Sequence, residues 1–290
     1  MNILFVNTFD VSPFLGGTER ITDTLCREFR KRCLCRCYLA YYEGIDSLYK
    51  KTVFDGRLCL GSRKNVALLI DYIVKKDIDV VLLQGQLGLA KGIRQAIGKK
   101  IKIIFAHHLY PGVEREDVSW SNSVLKCWKS RGLMANMLRL TAYPILKVKH
   151  LYALPLKYKD TYDYSDKVVL LSSELIQPFT AFGHIKDTDK FSVIPNTLSF
   201  DIFFPFEKIY EKEKVVLIVS RLVENPKRIS LALRSWKELM SDDRLADWKL
   251  VIVGSGSDEN NYKSYVAEND IKNHYCPIKK GNSIFEIVEL

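Results

Sequence analysis

Residues 214–259 read KVVLIVSRLVENPKRISLALRSWKELMSDDRLADWKLVIVGSGSDE. Val215–Val219 is a continuous apolar run of strand length, expected to be buried. Arg221 and Lys227 lie in the polar turn that follows. Ile229, Leu231, Leu233 and Trp236 mark an amphipathic helix, and Leu250–Val253 is a second apolar run that ends in a Gly-Ser-Gly turn. Strand, helix and strand in that order make a βαβ unit with its polar turns at the carboxyl ends of the strands.

Ligands of an open parallel sheet bind beyond those carboxyl ends. Arg221 offers phosphate oxygens a planar, permanently charged fork, and Lys227 adds a point charge where the helix is expected to open. Pro226 is expected to fix that start, and the positive end of the helix dipole adds to the same anion site. Gly254 and Gly256, with Ser255 between them, leave the backbone bare for a flat group such as a nucleobase. The competing reading makes Arg221 and Lys227 solvated surface charges.

The run SRLVENPK, the helix after it and KLVIVGSGSDE together resemble the donor-binding half of family 4 glycosyltransferases, retaining enzymes of the GT-B fold. The resemblance implies an α/β architecture of two Rossmann-like domains facing a cleft. It implies that Arg221 and Lys227 grip the diphosphate of a nucleotide sugar and that Gly254, Ser255 and Gly256 lie beside the base.

Other landmarks follow in the chain order of that family. Gly16 and Gly17 stand at the amino terminus of a helix expected over about Thr18–Arg32, where free N–H groups meet phosphate or sugar. Glu19 falls in its first turn, and GGTER resembles the GG-x-E loop that faces the donor across the cleft. The apolar strand Ile101–Phe105 runs into AHHLYPGVE, so His107 and His108 leave a strand at its carboxyl end. The resemblance implies one histidine near the donor sugar and acceptor. Alternation turns only one of the two toward a cleft; His107 is the matching position, with His108 one register step away, and a hydrogen-bonded structural histidine is the other reading. SDKVVLLSSELIQPF and FSVIPNTLSF resemble the strand that closes the first domain and the IPN that leads out of it.

The expected division is a first, acceptor-side domain over 1–199, a linker over 200–214 and a donor-nucleotide domain over 215–290. About 75 residues after the linker are too few for a complete domain of this kind. The family's two glutamates eight positions apart have no counterpart, since Glu286 and Glu289 are three apart. The second domain is therefore expected to be incomplete, a fragment or a truncated product, with an exposed sheet edge.

With 44 Lys and Arg against 34 Asp and Glu, the formal charge of +10 calls for a polyanionic neighbour. From Val118 to Lys159 there is no acidic residue, while basic, aromatic and aliphatic residues alternate. That mixture suits a segment lying in an anionic lipid headgroup layer, or a helical hairpin packed on the first domain. No nucleic-acid module accompanies it. Without an 18-residue apolar run or a signal peptide, the expected location is the cytoplasm, peripheral on the inner face of the membrane.

Metal and dinucleotide chemistry fit poorly. Cys33, Cys35 and Cys37 alternate as three thiols on one face of a strand, without zinc spacing. Asp77-Ile78-Asp79 spells a DxD but precedes a strand, at the end opposite the expected site. GSGSDE lacks the third glycine of a dinucleotide fingerprint.

The resulting expectation is a glycosyltransferase that moves a sugar from a UDP- or GDP-linked donor to a saccharide or lipid-linked glycan acceptor. Retention is implied by the resemblance, and a fixed cationic cradle takes the place of a metal or other cofactor. The alternative is an inactive relative that binds a nucleotide or a partner.

Overall fold

The computed structural model describes residues 1–12, 16–44, 53–61, 65–118, 137, 141–197, 206–211, 213–269 and 275–276. Residues 200–205 and 212 of the expected linker and residues 119–136 and 138–140 of the basic stretch lie outside the described residues, as do Glu286 and Glu289. The chain separates into two compact units, Met1–Asp201 and Ile202–Leu290.

Strands of the first unit are apolar on both faces because helices cover both, the condition of a fully parallel sheet. Its elements are β1 (Asn2–Phe9), α1 (Gly17–Cys33), β2 (Arg36–Glu43), β3 (Gly56–Cys59), α2 (Val66–Lys75), β4 (Val80–Gln84), α3 (Leu89–Ile97), β5 (Lys102–His107), α4 (Tyr143–Tyr164), β6 (Lys167–Leu170), α5 (Ile176–Gly183) and β7 (Phe191–Val193). The strand order is β3-β2-β1-β4-β5-β6-β7 with every pair parallel. From β1 the chain winds outward through β2 and β3, then returns to β4 on the other side of β1, so the topological switch point lies between β1 and β4. On one face Leu4, Val6, Leu83 and Phe105 pack with Leu69, Ile93, Leu154 and Tyr158 of the covering helices. On the other, Ile3, Phe5 and Leu82 meet Cys26 and Phe29 of α1.

One expectation changes here. The three alternating thiols do not share a strand, because Cys33 ends α1 exposed, Leu34 turns left-handed with φ 49°, and β2 begins at Arg36; Cys35 and Cys37 are buried against α1. Strand β3 has no strong periodic signal, being short and half-buried at the sheet edge. Asp77 and Asp79 lie at the amino ends of the strands, where Asn2 N–H donates to Asp79 Oδ2 at 2.7 Å.

The second unit contains β8 (Val215–Val219), the short helix α6 (Glu224–Lys227), α7 (Ile229–Leu239), β9 (Lys249–Val253), α8 (Glu259–Glu268) and β10 (Tyr275–Cys276), in a parallel sheet of order β10-β9-β8. Leu222, Ile229, Leu233, Trp236, Leu250, Ile252, Tyr262 and Val266 form its core. β8 is an edge strand among the described residues rather than a buried one, with Leu217 51% and Val219 49% exposed. Leu231 is likewise exposed, since a two-residue step carries it round the helix from Ile229. α7 opens at Ile229 behind a left-handed Arg228, so Pro226 and Lys227 belong to the short helix α6 before it and not to the start of α7.

Candidate active site

In the second unit the glycine turn is built against the segment that carries Arg221. A Cβ on Gly256 would sit 2.2 Å from Leu222 O, and one on Gly254, whose φ is +153°, would sit 1.8 Å from Ser220 O. Both contacts are with backbone, so neither position accepts a side chain without moving the 220–222 segment. Leu222 N–H donates to Ser255 O at 2.9 Å and Asp258 N–H to Leu222 O at 3.0 Å, locking the two turns together. The bare backbone expected for a nucleobase is thus first a packing requirement.

Arg221 and Lys227 are both exposed, at the carboxyl end of β8 and at the end of α6. Neighbouring carboxylates are committed elsewhere. Glu224 accepts from Ser230 N–H at 3.2 Å and Tyr262 Oη at 2.9 Å, and Asp258 Oδ2 accepts from Glu224 N–H at 3.1 Å. Among the described residues Arg221 and Lys227 form no ion pair, which leaves their charge available to an anion.

In the first unit Gly16 is the extended residue before α1, and Arg20 N–H makes the first helical bond to Gly16 O at 3.0 Å. Glu19 is half-buried and folds back over this end, since a Cβ on Gly16 would lie 2.5 Å from Glu19 Oε2. Gly17 is exposed with open space around its Cα.

The two histidines part company. His107 is 1% exposed and points into the face covered by α4, its ring centroid 5.7 Å from Tyr158 and 5.6 Å from Phe179. Tyr158 Oη donates to Glu114 Oε2 at 2.7 Å, accepts from Gly112 N–H at 2.9 Å and lies 3.4 Å from His107 Nε2. Burial, with the neighbouring His108 adding a smaller push, lowers the His107 pKa to about 4. His108 faces the other way, is half-buried, and places Nε2 2.5 Å from Gln84 Oε1. Burial also lowers its pKa.

Sequence reasoning passed over Gln84, Gln86 and Asn7, all buried around the carboxyl ends of β1 and β4. Gln86 Nε2 donates to Thr8 Oγ1 at 3.2 Å and Asn7 Nδ2 to Thr22 Oγ1 at 3.1 Å. Asn7 Oδ1, Gln84 Nε2 and Gln86 Oε1 have no partner among the described residues. The available signal was polar side chains closing the apolar runs ILFVN and VVLLQ.

A groove of about 420 Å³ lined by Lys159, Lys186 and Lys190 opens near the amino ends of β6 and β7. Lys159 is paired with Asp163 at 2.8 Å, and Lys190 Nζ donates to Tyr162 O and Asp163 O. It lies at the end of the sheet that parallel folds do not use for ligands.

The fold is that of the GT-B glycosyltransferases. Residues 199–289 match the family model of glycosyl transferases group 1, a stretch that covers nearly all of the second unit. The apo form of the lipopolysaccharide outer core galactosyltransferase WaaB is similar over 100% of this chain and 71% of that one, at 16% identity and TM-score 0.57. WaaG, a glycosyltransferase involved in lipopolysaccharide biosynthesis, is similar over 99% and 72%, at 12% identity and TM-score 0.59. UDP-N-acetylglucosamine 2-epimerase from Rickettsia bellii is similar over 100% and 71%, at 13% identity and TM-score 0.51. Likeness at this identity defines the fold, which serves an epimerase as well as transferases; the family match is what points to transfer. No curated protein matches the chain in sequence.

Proposed function

We propose that the chain moves a sugar from a nucleotide-diphosphate sugar to a saccharide or lipid-linked glycan acceptor, with retention and without a metal. The observation that supports this reading best is the pair Arg221 and Lys227, exposed and free of carboxylate partners among the described residues, inside the segment that matches glycosyl transferases group 1. Cleavage of the anomeric bond develops negative charge on the departing diphosphate, and fixed cations lower the barrier by meeting that charge. The glycine turn holds the Arg221 segment in place and takes the base, while His108, Glu19 and the Gly16-Gly17 helix end serve the sugar-bearing side.

The test is transfer of radiolabel from a panel of UDP- and GDP-sugars to saccharide acceptors. The Arg221→Ala, Lys227→Ala double variant should lose transfer and nucleotide affinity together. Wild-type rates in that variant would defeat the reading. Nucleotide binding without transfer in the wild type would instead favour the inactive relative.

We further propose that the acceptor is met at an anionic membrane surface. α4 exposes Ile145, Val148, Tyr152 and Leu156 beside Lys147 and Lys149, and has no acidic residue before Asp160. No helix among the described residues is long and apolar enough to cross a membrane. Sedimentation with phosphatidylserine vesicles should occur at low salt and fade at high salt. Absence of binding at low salt would end the proposal.

A further inference from the structure

Asn7, Gln84 and Ala106 form one row across the switch point. Phe5 pairs with Leu82, so two residues on, Asn7 and Gln84 stand level, and Gln84 pairs with Ala106. The preceding row on this face, Phe5, Leu82 and Ile104, is the apolar floor beneath α1. At the carboxyl end the floor changes from hydrocarbon to amide. Asn7 and Gln84 are 0% and 4% exposed, yet Asn7 Oδ1 and Gln84 Nε2 have no partner among the described residues. Leaving a buried polar atom unmatched costs about 1–3 kcal/mol, so an amide row in place of an apolar one calls for a use.

His108, two residues past Ala106, returns to the same face and brings Nε2 to Gln84 Oε1. A carbonyl oxygen has no hydrogen to give, so Nε2 must carry the proton. Burial disfavours the imidazolium, so the ring is neutral with its lone pair on Nδ1, which has no hydrogen-bond partner among the described residues. His108, unlike His107, retains exposed surface.

We infer that Gln84 is a positioning residue that fixes His108 in the Nε2–H tautomer, so that Nδ1 accepts a hydrogen bond from an uncharged hydroxyl of a bound sugar. A lone pair needs a hydrogen-bond donor, which a hydroxyl supplies; a carboxylate or fully ionised phosphate has none and is repelled. The site therefore disfavours such an anion and suits a hydroxyl-bearing group at this point. That the hydroxyl belongs to the saccharide of the transfer reaction rests on the function proposed above; the tautomer does not.

The experiment is ¹⁵N NMR of the full chain labelled at histidine, at pH 7.5, with His108 assigned from its loss in His108→Asn. The expected spectrum shows Nε2 protonated and Nδ1 unprotonated. The opposite tautomer, or the averaged mixture of a free imidazole, overturns the inference. Methyl α-glycosides of glucose, galactose and mannose are then titrated as neutral probes, with sodium acetate as the anionic one. At least one glycoside should move the Nδ1 signal and acetate should not; a response to acetate alone, or to none of them, overturns the ligand class. Gln84→Leu should release the tautomer and weaken the glycoside response about tenfold, the loss of roughly one hydrogen bond. Gln84→Glu should restore the tautomer and raise the His108 pKa, because a carboxylate favours imidazolium. Neither effect is expected of a residue that merely packs, and the wild-type tautomer decides the matter if Gln84→Leu does not fold. UDP and GDP binding, followed by calorimetry in parallel, separates the two readings: its loss alone would count against the proposed function and leave this one standing.

Discussion

Acidification should destabilise the first unit through His107. Its pKa falls from the ordinary 6.5 to about 4, chiefly because burial leaves the imidazolium without water. Between those values the unfolded chain binds a proton at this histidine and the folded chain does not. Stability therefore rises with pH, is complete above pH 6.5 and is lost as pH falls toward 4. At about 1.4 kcal/mol per pH unit across that window, the loss totals about 3 kcal/mol. His107→Phe supplies the comparison, since the ring already sits among Phe105, Tyr158 and Phe179 at centroid distances of 5.8, 5.7 and 5.6 Å. Urea unfolding followed by far-ultraviolet circular dichroism at intervals from pH 7 to pH 4 gives both stability curves. Other titrating groups cancel in the difference, so the variant should gain on the wild type by about 3 kcal/mol as the pH drops. Parallel curves would refute the reasoning, and would mean that Glu114, whose Oε1 is 4.0 Å from His107 Nε2, shelters the charged ring.

Gly256→Ala should destabilise the second unit by about 1–3 kcal/mol, because its methyl meets Leu222 backbone and not a flexible side chain; urea unfolding followed by tryptophan fluorescence checks this, and nucleotide affinity should fall with it. Tyr158→Phe leaves the Glu114 carboxylate and Gly112 N–H without their shared partner, at a cost of about 1–3 kcal/mol seen by chemical denaturation. Arg94→Lys should be as damaging as Arg94→Met. The guanidinium bonds to Asp166, Tyr164 O, Gly98 O and Ile101 O at once, and an ammonium cannot span that set; thermal melting of the two variants tests it.

Much of the architecture was legible because burial on both faces of a parallel sheet writes apolar runs into the sequence, and Gly254 and Gly256 mark the close approach at the end of β9. The single-step ambiguity at His107 and His108 was not. Alternation says that the two point to opposite faces, but which face stays open depends on α4, whose Tyr158 reaches His107 from 51 residues away. The Tyr158 and Glu114 pair is invisible for the same reason: it spans 44 residues and has no motif. Val215–Val219 looked buried because an edge strand of a parallel sheet carries the same composition as a central one, and pairing is not encoded in one strand alone.

Charge divides the chemistry of the two units. At the carboxyl ends of the first, His108 is neutral, Asn7 and Gln84 are amides, and Asp10 accepts two bonds from Arg57 Nη1 at 3.0 and 3.1 Å, so that those two charges are paired. In the second unit the acids Glu224 and Asp258 are consumed by internal bonds, while Arg221 and Lys227 stay exposed. Salt follows from this division: raising ionic strength should weaken nucleotide binding, which depends on exposed cations, and leave the glycoside response at His108 unchanged, because a hydrogen bond between neutral groups is not screened. Equal salt sensitivity of the two would show that the first unit also binds through charge.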